Sequence, residues 1–255
     1  MDAMLAFRSA HPAVWLSSLQ TAALDLIFPP RCVHCERPGS LLCHHCAQAA
    51  EPIGAAICAQ CGRRQKEPIA QCATCEQQPE RALGLARAAT LHRGPIRAAA
   101  HELKYGGATA LAPLLARYLV AAFALPPWPL LYRRIHGVTP VPLHAERRKE
   151  RGYNQAELLA AAFCRQTGLP LHPEWLHRQR LTRSQVGLHF HERQANVADA
   201  FVAPPTVQGK VILLIDDVYT TGATLNACAT ALRSAGALAV HALALAAPDR
   251  PDADG

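Results

Sequence analysis

Hydrophobic positions along the chain follow two different periods, and the clearest run has no period at all. Val211-Ile212-Leu213-Leu214-Ile215 is continuously apolar, as expected for a parallel strand covered on both faces, so the central strand is expected over Lys210 to Asp216. It ends in Asp216-Asp217 and turns through Tyr219-Thr220-Thr221-Gly222. From Leu225 to Ala237 the small and apolar residues take the spacing of a packed helix that stops near Gly236. Weaker signals of the same kinds predict strands at Arg87 to Arg93, Gly137 to Val141 and Ala237 to Ala246. Helices are predicted at Pro95 to Leu103, Leu111 to Leu125 and Asn154 to Gly168. Strands alternating with helices imply an α/β fold, a mostly parallel sheet flanked by helices. Gly106-Gly107 and Pro126-Pro127 punctuate loops.

The turn after the central strand carries chemistry, because loops at the carboxyl ends of parallel strands are where open α/β sheets bind ligands. Thr220, Thr221 and Thr224 supply hydroxyls, and Gly222 with the small Ala223 lets a ligand approach the backbone. The N–H groups of a first helical turn favour an anion, and one terminal phosphate fits there. Asp216 and Asp217 offer only acceptors, which suits ribose hydroxyls, directly or through Mg²⁺. This order resembles the phosphoribosyl-pyrophosphate (PRPP) motif of type I phosphoribosyltransferases, with Ala223 where that family usually has a second glycine. The competing reading is structural, since an acid pair after a strand also caps the following helix.

A second signal lies in the first third of the chain. Cys32/Cys35, Cys43/Cys46, Cys58/Cys61 and Cys72/Cys75 form four C-x-x-C knuckles within 44 residues. Two knuckles complete one tetrahedral Cys₄ zinc site with no open position, so eight thiols imply two structural zinc ions. Chain neighbours pair most simply, Cys32/35/43/46 and Cys58/61/72/75, and the spacing leaves a crossed arrangement open. A disulfide framework is the alternative, but no secretory signal precedes the cysteines and a large second domain follows them. His34, His44 and His45 are available as substitute ligands that eight thiols make unnecessary. Cys164 and Cys228 fall in predicted helices and read as packed thiols.

The chain has 255 residues, half of them apolar, enough for a full α/β domain beside a small metal-stabilised one. The expected division is a helical leader over 1–27, a double zinc ribbon over 28–80, a transferase-like domain over 81–247 and a disordered tail over 248–255. The formal charge of +7 is unevenly placed, with 6 basic and 7 acidic residues through Glu80 against 20 and 12 beyond it. That balance suits anionic partners such as PRPP, pyrophosphate or nucleic acid. Prolines 126, 127 and 129 break the best apolar run, so no transmembrane segment is expected and a cytoplasmic location is.

Further residues make a more specific match. The knuckles are followed by Leu103-Lys104-Tyr105-Gly106, by Pro140-Val141-Pro142-Leu143-His144 with Arg147, and by Arg151-Gly152-Tyr153-Asn154-Gln155. Arg180, Gln185, Glu192-Arg193 and Asn196 come next, then the PRPP motif. This series resembles the ComF family, over roughly Phe28 to Ala246, with one departure at Gly187-Leu188-His189-Phe190-His191. The resemblance implies a double zinc ribbon joined to a type I phosphoribosyltransferase-like domain, and a role in natural transformation, the import and use of DNA. It implies PRPP with Mg²⁺ as ligand, Asp216 and Asp217 as the catalytic pair, and Thr220, Thr221, Gly222, Ala223, Thr224, Lys104, Tyr105, Arg151 and Arg180 around the substrate. Arg147, Arg148, Lys149 and Arg151 are expected on one rim of the cleft, and Arg180 to Arg193 as a lid. Three roles fit: a transferase, a PRPP sensor without catalysis, and an adaptor that binds single-stranded DNA or meets the DNA-uptake machinery. Trp128 and Tyr132, near Arg133 and Arg134, offer rings for base stacking in the last case.

Overall fold

The computed structural model describes residues 29–78, 81–179 and 200–249. The leader, the expected lid with Arg180 and Gln185, the Glu192-Arg193 and Asn196 motifs, and the last six residues lie outside them.

Two cysteine-rich lobes come first, and each has a knuckle that opens a short helix: α1 (His44–Gln48) behind Cys43 and α2 (Ala73–Glu76) behind Cys72. The lobes are anchored differently. Cys32, Leu42, Cys43 and Cys46 belong to the main hydrophobic core, whereas the second lobe's four thiols form their own cluster with Ile69 packed on it. The second lobe rests on the strand that follows. Ala86 N donates to Gln60 O at 3.1 Å, and a side chain at Gly62 would place its Cβ 2.4 Å from Ala86 O.

The remainder runs β1 (Ala86–Leu91), α3 (Gly94–Tyr105), α4 (Leu111–Phe123), α5 (Trp128–Leu131), β2 (Gly137–Pro140), α6 (Ala145–Arg151), α7 (Gln155–Thr167), β3 (His177–Arg178), β4 (Phe201–Val202), β5 (Val211–Val218), α8 (Ala223–Ser234) and β6 (Ala239–Ala247). The four long strands form one parallel sheet in the order β1-β6-β5-β2, while β3 and β4 pair antiparallel as a separate ribbon. Strand β5 is central and its residues alternate in direction. Val211, Leu213 and Ile215 join the core with α3, α4 and α7, and Ile212 and Leu214 join the core with α8.

The connections create a switch point between β2 and β5. The chain leaving β2 passes through α7 on one face and returns as Leu171, which bridges Val138 in parallel on the outer side of β2. The chain leaving β5 passes through α8 on the other face to β6, in the opposite direction. Loops after β2 and β5 therefore diverge, opening a crevice at their carboxyl ends.

Three expectations change. β5 runs past Asp216 because Asp216 and Val218 pair with Ala244 and Ala246 of β6, so both acids lie within the strand. Trp128 is 1% exposed and packs on Phe123 with ring centres 5.4 Å apart, so it is a core residue and offers no face to a base. Asp249, assigned to the tail, accepts from Arg93 at 2.8 Å and pairs with Arg64. Among the described residues no single helix is long and apolar enough to cross a membrane.

Candidate functional site

The acid pair and the loop after it sit at the mouth of the crevice. Gly222 occupies the N-cap of α8 with φ +81°, and a Cβ there would lie 2.8 Å from the Tyr219 ring. Glycine is required twice over, for the left-handed backbone and for the close approach. An N-cap without a side chain supplies no side-chain acceptor to the first turn of this 12-residue helix, the kind of helix start that suits an anion, and Ala223 N donates to Thr221 Oγ1 at 3.4 Å. Tyr219 is buried and its N–H donates to Ala246 O at 2.8 Å, Thr220 is exposed, and Thr221 and Thr224 are half-buried.

The two carboxylates diverge. Asp217 Oδ1 accepts from Val218 N at 3.0 Å, while Oδ2 is buried without a hydrogen-bond partner among the described residues. Lys104 Nζ, at the end of α3, stands 3.8 Å from that oxygen, in ion-pair range and too far for a hydrogen bond. His92, at the carboxyl end of β1, also feels the Asp217 charge, and burial lowers its pKa while that charge opposes the shift. Asp216 lies toward Cys228 of α8 and Arg178 of β3, which both feel its charge. Its Oδ1 accepts from Asp217 N at 2.9 Å.

Burial pushes the Asp216 carboxyl well above the usual carboxylate range, and the neighbouring Asp217 charge adds to it. The folded state therefore keeps this proton to higher pH than the unfolded chain, and stability is lost as pH rises from the ordinary carboxylate range through the folded value. Asp216→Asn is expected to remove that loss and raise the thermal midpoint of the ligand-free protein by roughly 2–6 °C at neutral pH, with a smaller gain in acid. Calorimetry across pH checks this, and an equal loss of stability at every pH would show that the charged form is fully compensated.

Other candidates assemble around Lys104. The Lys104 ammonium and the Arg151 guanidinium lie 5.7 and 5.4 Å from the centre of the exposed Tyr105 ring, and Tyr153 Oη donates to Leu103 O at 2.6 Å. Asn154 caps α7, accepting from Ala156 N and donating to Val141 O, both at 3.0 Å, so the loop after β2 and the start of α7 are fixed together. The basic rim is less free than its composition implies. Arg147 pairs with Glu150 at 3.4 Å and Arg148 with Glu157 at 2.9 Å. His92 and Arg178 were not recognisable in the sequence, having no local motif; only their places at strand ends in the fold reveal them.

The thiols form two compact groups, Cys32/35/43/46 and Cys58/61/72/75, each with its sulfurs within 4.8 Å of one another, so the knuckles pair as chain neighbours. Cys35 and Cys43 are 3.6 Å apart, Cys61 and Cys72 3.6 Å, and Cys58 and Cys75 3.9 Å. A tetrahedron with Zn–S bonds of about 2.3 Å has edges of about 3.8 Å, so both sets fit structural zinc. All ten cysteines are free thiols, and the nearby histidines take no part in either group.

A parallel sheet with a phosphate-type loop at its switch point, preceded by two Cys₄ centres, defines a double zinc ribbon joined to a phosphoribosyltransferase-like domain. The chain matches the double zinc ribbon domain family over residues 23–77 and the phosphoribosyl transferase domain family over residues 177–253. It is 30% identical over 226 residues to the DNA utilization protein YhgH of Salmonella typhimurium, covering 85% of this chain and 96% of that one. It is 28% identical to competence protein F of Haemophilus influenzae, covering 85% and 96%, and 29% identical to competence protein ComFC of Bacillus subtilis, covering 78% and 81%. The chain belongs to the ComF family. Among solved structures, the glutamine phosphoribosylpyrophosphate amidotransferase of B. subtilis, complexed with ADP and GMP, aligns at 21% identity and a TM-score of 0.39. That match covers 57% of this chain and 30% of the longer one.

Proposed function

We propose that this protein binds PRPP with Mg²⁺ in the crevice between β2 and β5, and transfers its phosphoribosyl group in the cytoplasm in support of DNA uptake or nucleotide reuse. The observation that carries the reading is the buried Asp217 Oδ2, without a hydrogen-bond partner among the described residues and 3.8 Å from Lys104 Nζ, on the strand that leads into a helix start whose N-cap offers no side-chain acceptor. A buried carboxylate oxygen without a donor is costly in the free protein, and a ribose hydroxyl supplies the missing donor.

In this reading the first turn of α8 with Thr220, Thr221 and Thr224 takes the 5-phosphate, and Asp216 and Asp217 hold the ribose diol, directly or through the cation. Lys104, Tyr105 and Arg151 face the pyrophosphate end, with Arg180 on the segment that follows β3. Mg²⁺ bound with PRPP would supply charge neutralisation at the pyrophosphate. The side chains orient the anion and stabilise charge, which phosphoribosyl transfer requires more than a strong base. Names of the relatives place them in competence and DNA utilization, and eight thiols grouped for zinc and not joined as disulfides suit a reducing compartment such as the cytoplasm. Calorimetric titration with PRPP and Mg²⁺ tests the proposal; absence of binding by protein with full zinc content would remove it.

Single-stranded DNA is a second ligand supported by one observation, the concentration of positive charge beyond Glu80. Binding through Arg147, Arg148, Lys149 and Arg151 is expected to weaken steeply with added salt and to show little sequence preference. Because Arg147 and Arg148 are already paired with acids, the quadruple Ala variant is expected to reduce the slope of log affinity against log salt by only about 2. An unchanged slope would place the DNA contacts elsewhere.

A further inference from the structure

The second cysteine lobe touches the phosphate-type loop through two arginines. Arg63, next but one after Cys61, donates from Nη2 to Thr221 O at 2.6 Å and from Nη1 to Thr74 Oγ1 at 3.1 Å. Thr74 lies between Cys72 and Cys75 in the closing knuckle. Arg81 donates from Nη1 to Cys75 Sγ at 3.2 Å, and its charge acts on the buried Tyr219 hydroxyl. Two lines thus run from one knuckle, to Tyr219 at the start of the loop and to Thr221 inside it. The first lobe has a different attachment, through the main core and the Tyr118 Oη bond to Ala47 O at 2.8 Å.

The geometry of the peptide bond gives this contact a consequence. The Thr221 carbonyl and the Gly222 N–H belong to one planar trans unit and point in opposite directions. Holding the carbonyl toward the lobe aims the N–H away from it. No acceptor among the described residues takes that N–H. The Tyr219 ring covers the Gly222 α-carbon and limits the loop from the other side.

We propose that the second zinc ribbon is a positioning element for this loop, with Arg63 as the positioning residue that presents the Gly222 amide to a bound phosphate and Arg81 as the residue that holds Tyr219. The phosphate part rests on the PRPP reading above; the hold on the loop does not. It gives the ribbon a task beyond its own fold and makes the two zinc centres unequal, since the second reaches the loop directly.

The test uses the full zinc-loaded chain and the variants Arg63→Met, Arg63→Lys and Thr74→Val, none of which alters a zinc ligand. Hydrogen exchange is measured over Tyr219 to Leu225 with Val211 to Ile215 as the internal reference, beside zinc content and titration with ribose 5-phosphate. Arg63→Met is expected to speed exchange in the loop about tenfold and weaken ribose 5-phosphate about tenfold at unchanged zinc, as loss of a charge-assisted hydrogen bond requires. Arg63→Lys should restore part of both, and Thr74→Val should give a smaller effect of the same sign. Unchanged loop exchange in Arg63→Met overturns the proposal. If loop exchange rises but wild-type protein takes up no ribose 5-phosphate, the hold on the loop is upheld and the PRPP reading is the part that fails.

Discussion

Metal analysis of protein purified without chelator is expected to return two zinc ions per chain, and stripping them is expected to unfold more than the cysteine lobes. Structural zinc contributes about 10–16 kcal/mol of apparent binding energy per site, comparable with the roughly 5–15 kcal/mol that holds a whole domain. The two sites should respond differently to loss of one ligand. Cys32, Leu42, Cys43 and Cys46 share a buried cluster with Leu115, Leu119 and Phe163, so Cys32→Ser is expected to lower the thermal transition of the sheet itself. The second lobe has its own cluster, so Cys58→Ser should leave that transition nearly in place while loosening the contacts to Thr221 and Tyr219. Thermal melts by circular dichroism beside metal content check both. Zinc below one ion per chain would overturn the assignment, and equal transitions in the two variants would overturn the asymmetry.

The features readable from sequence were local ones. A C-x-x-C knuckle is a property of four successive residues, and the apolar run of β5 with its Thr-Thr-Gly turn occupies one short segment, so spacing alone locates both. The order of strands and helices follows from the same local periods. Long-range pairing decided the rest. Where β5 ends depends on Ala244 and Ala246 of β6, and the buried Trp128 ring meets His241 of β6 edge-on with ring centres 6.4 Å apart. Neither partner is announced by the segment it acts on. The basic run after His144 reads as a free charged surface until Glu157, on the next helix, is seen against Arg148. Arg63 reaches Thr221 across 158 positions, a contact no motif records.

Asp217→Asn is expected to weaken binding of PRPP with Mg²⁺ by about 10–100-fold while leaving the ligand-free protein at least as stable as the wild type. The substitution keeps shape and removes charge. In the free protein little is lost, because Oδ2 accepts no hydrogen bond from the described residues and Lys104 stands 3.8 Å away. In the complex the same oxygen would take a ribose hydroxyl or the cation, so the cost appears only with ligand. Thr221→Val separates the two ends of the site, since it removes a phosphate-side hydroxyl and should weaken ribose 5-phosphate as much as PRPP. Lys104→Met should weaken PRPP more than ribose 5-phosphate, because the lysine is assigned to the pyrophosphate end. A double-mutant cycle between Asp217 and Lys104 then reports whether they act on one ligand. If Asp217→Asn and Thr221→Val both bind PRPP as the wild type does, the acid pair and the loop are a strand end and a helix cap. A stability loss in ligand-free Asp217→Asn would show instead that the carboxylate is held by the protein itself.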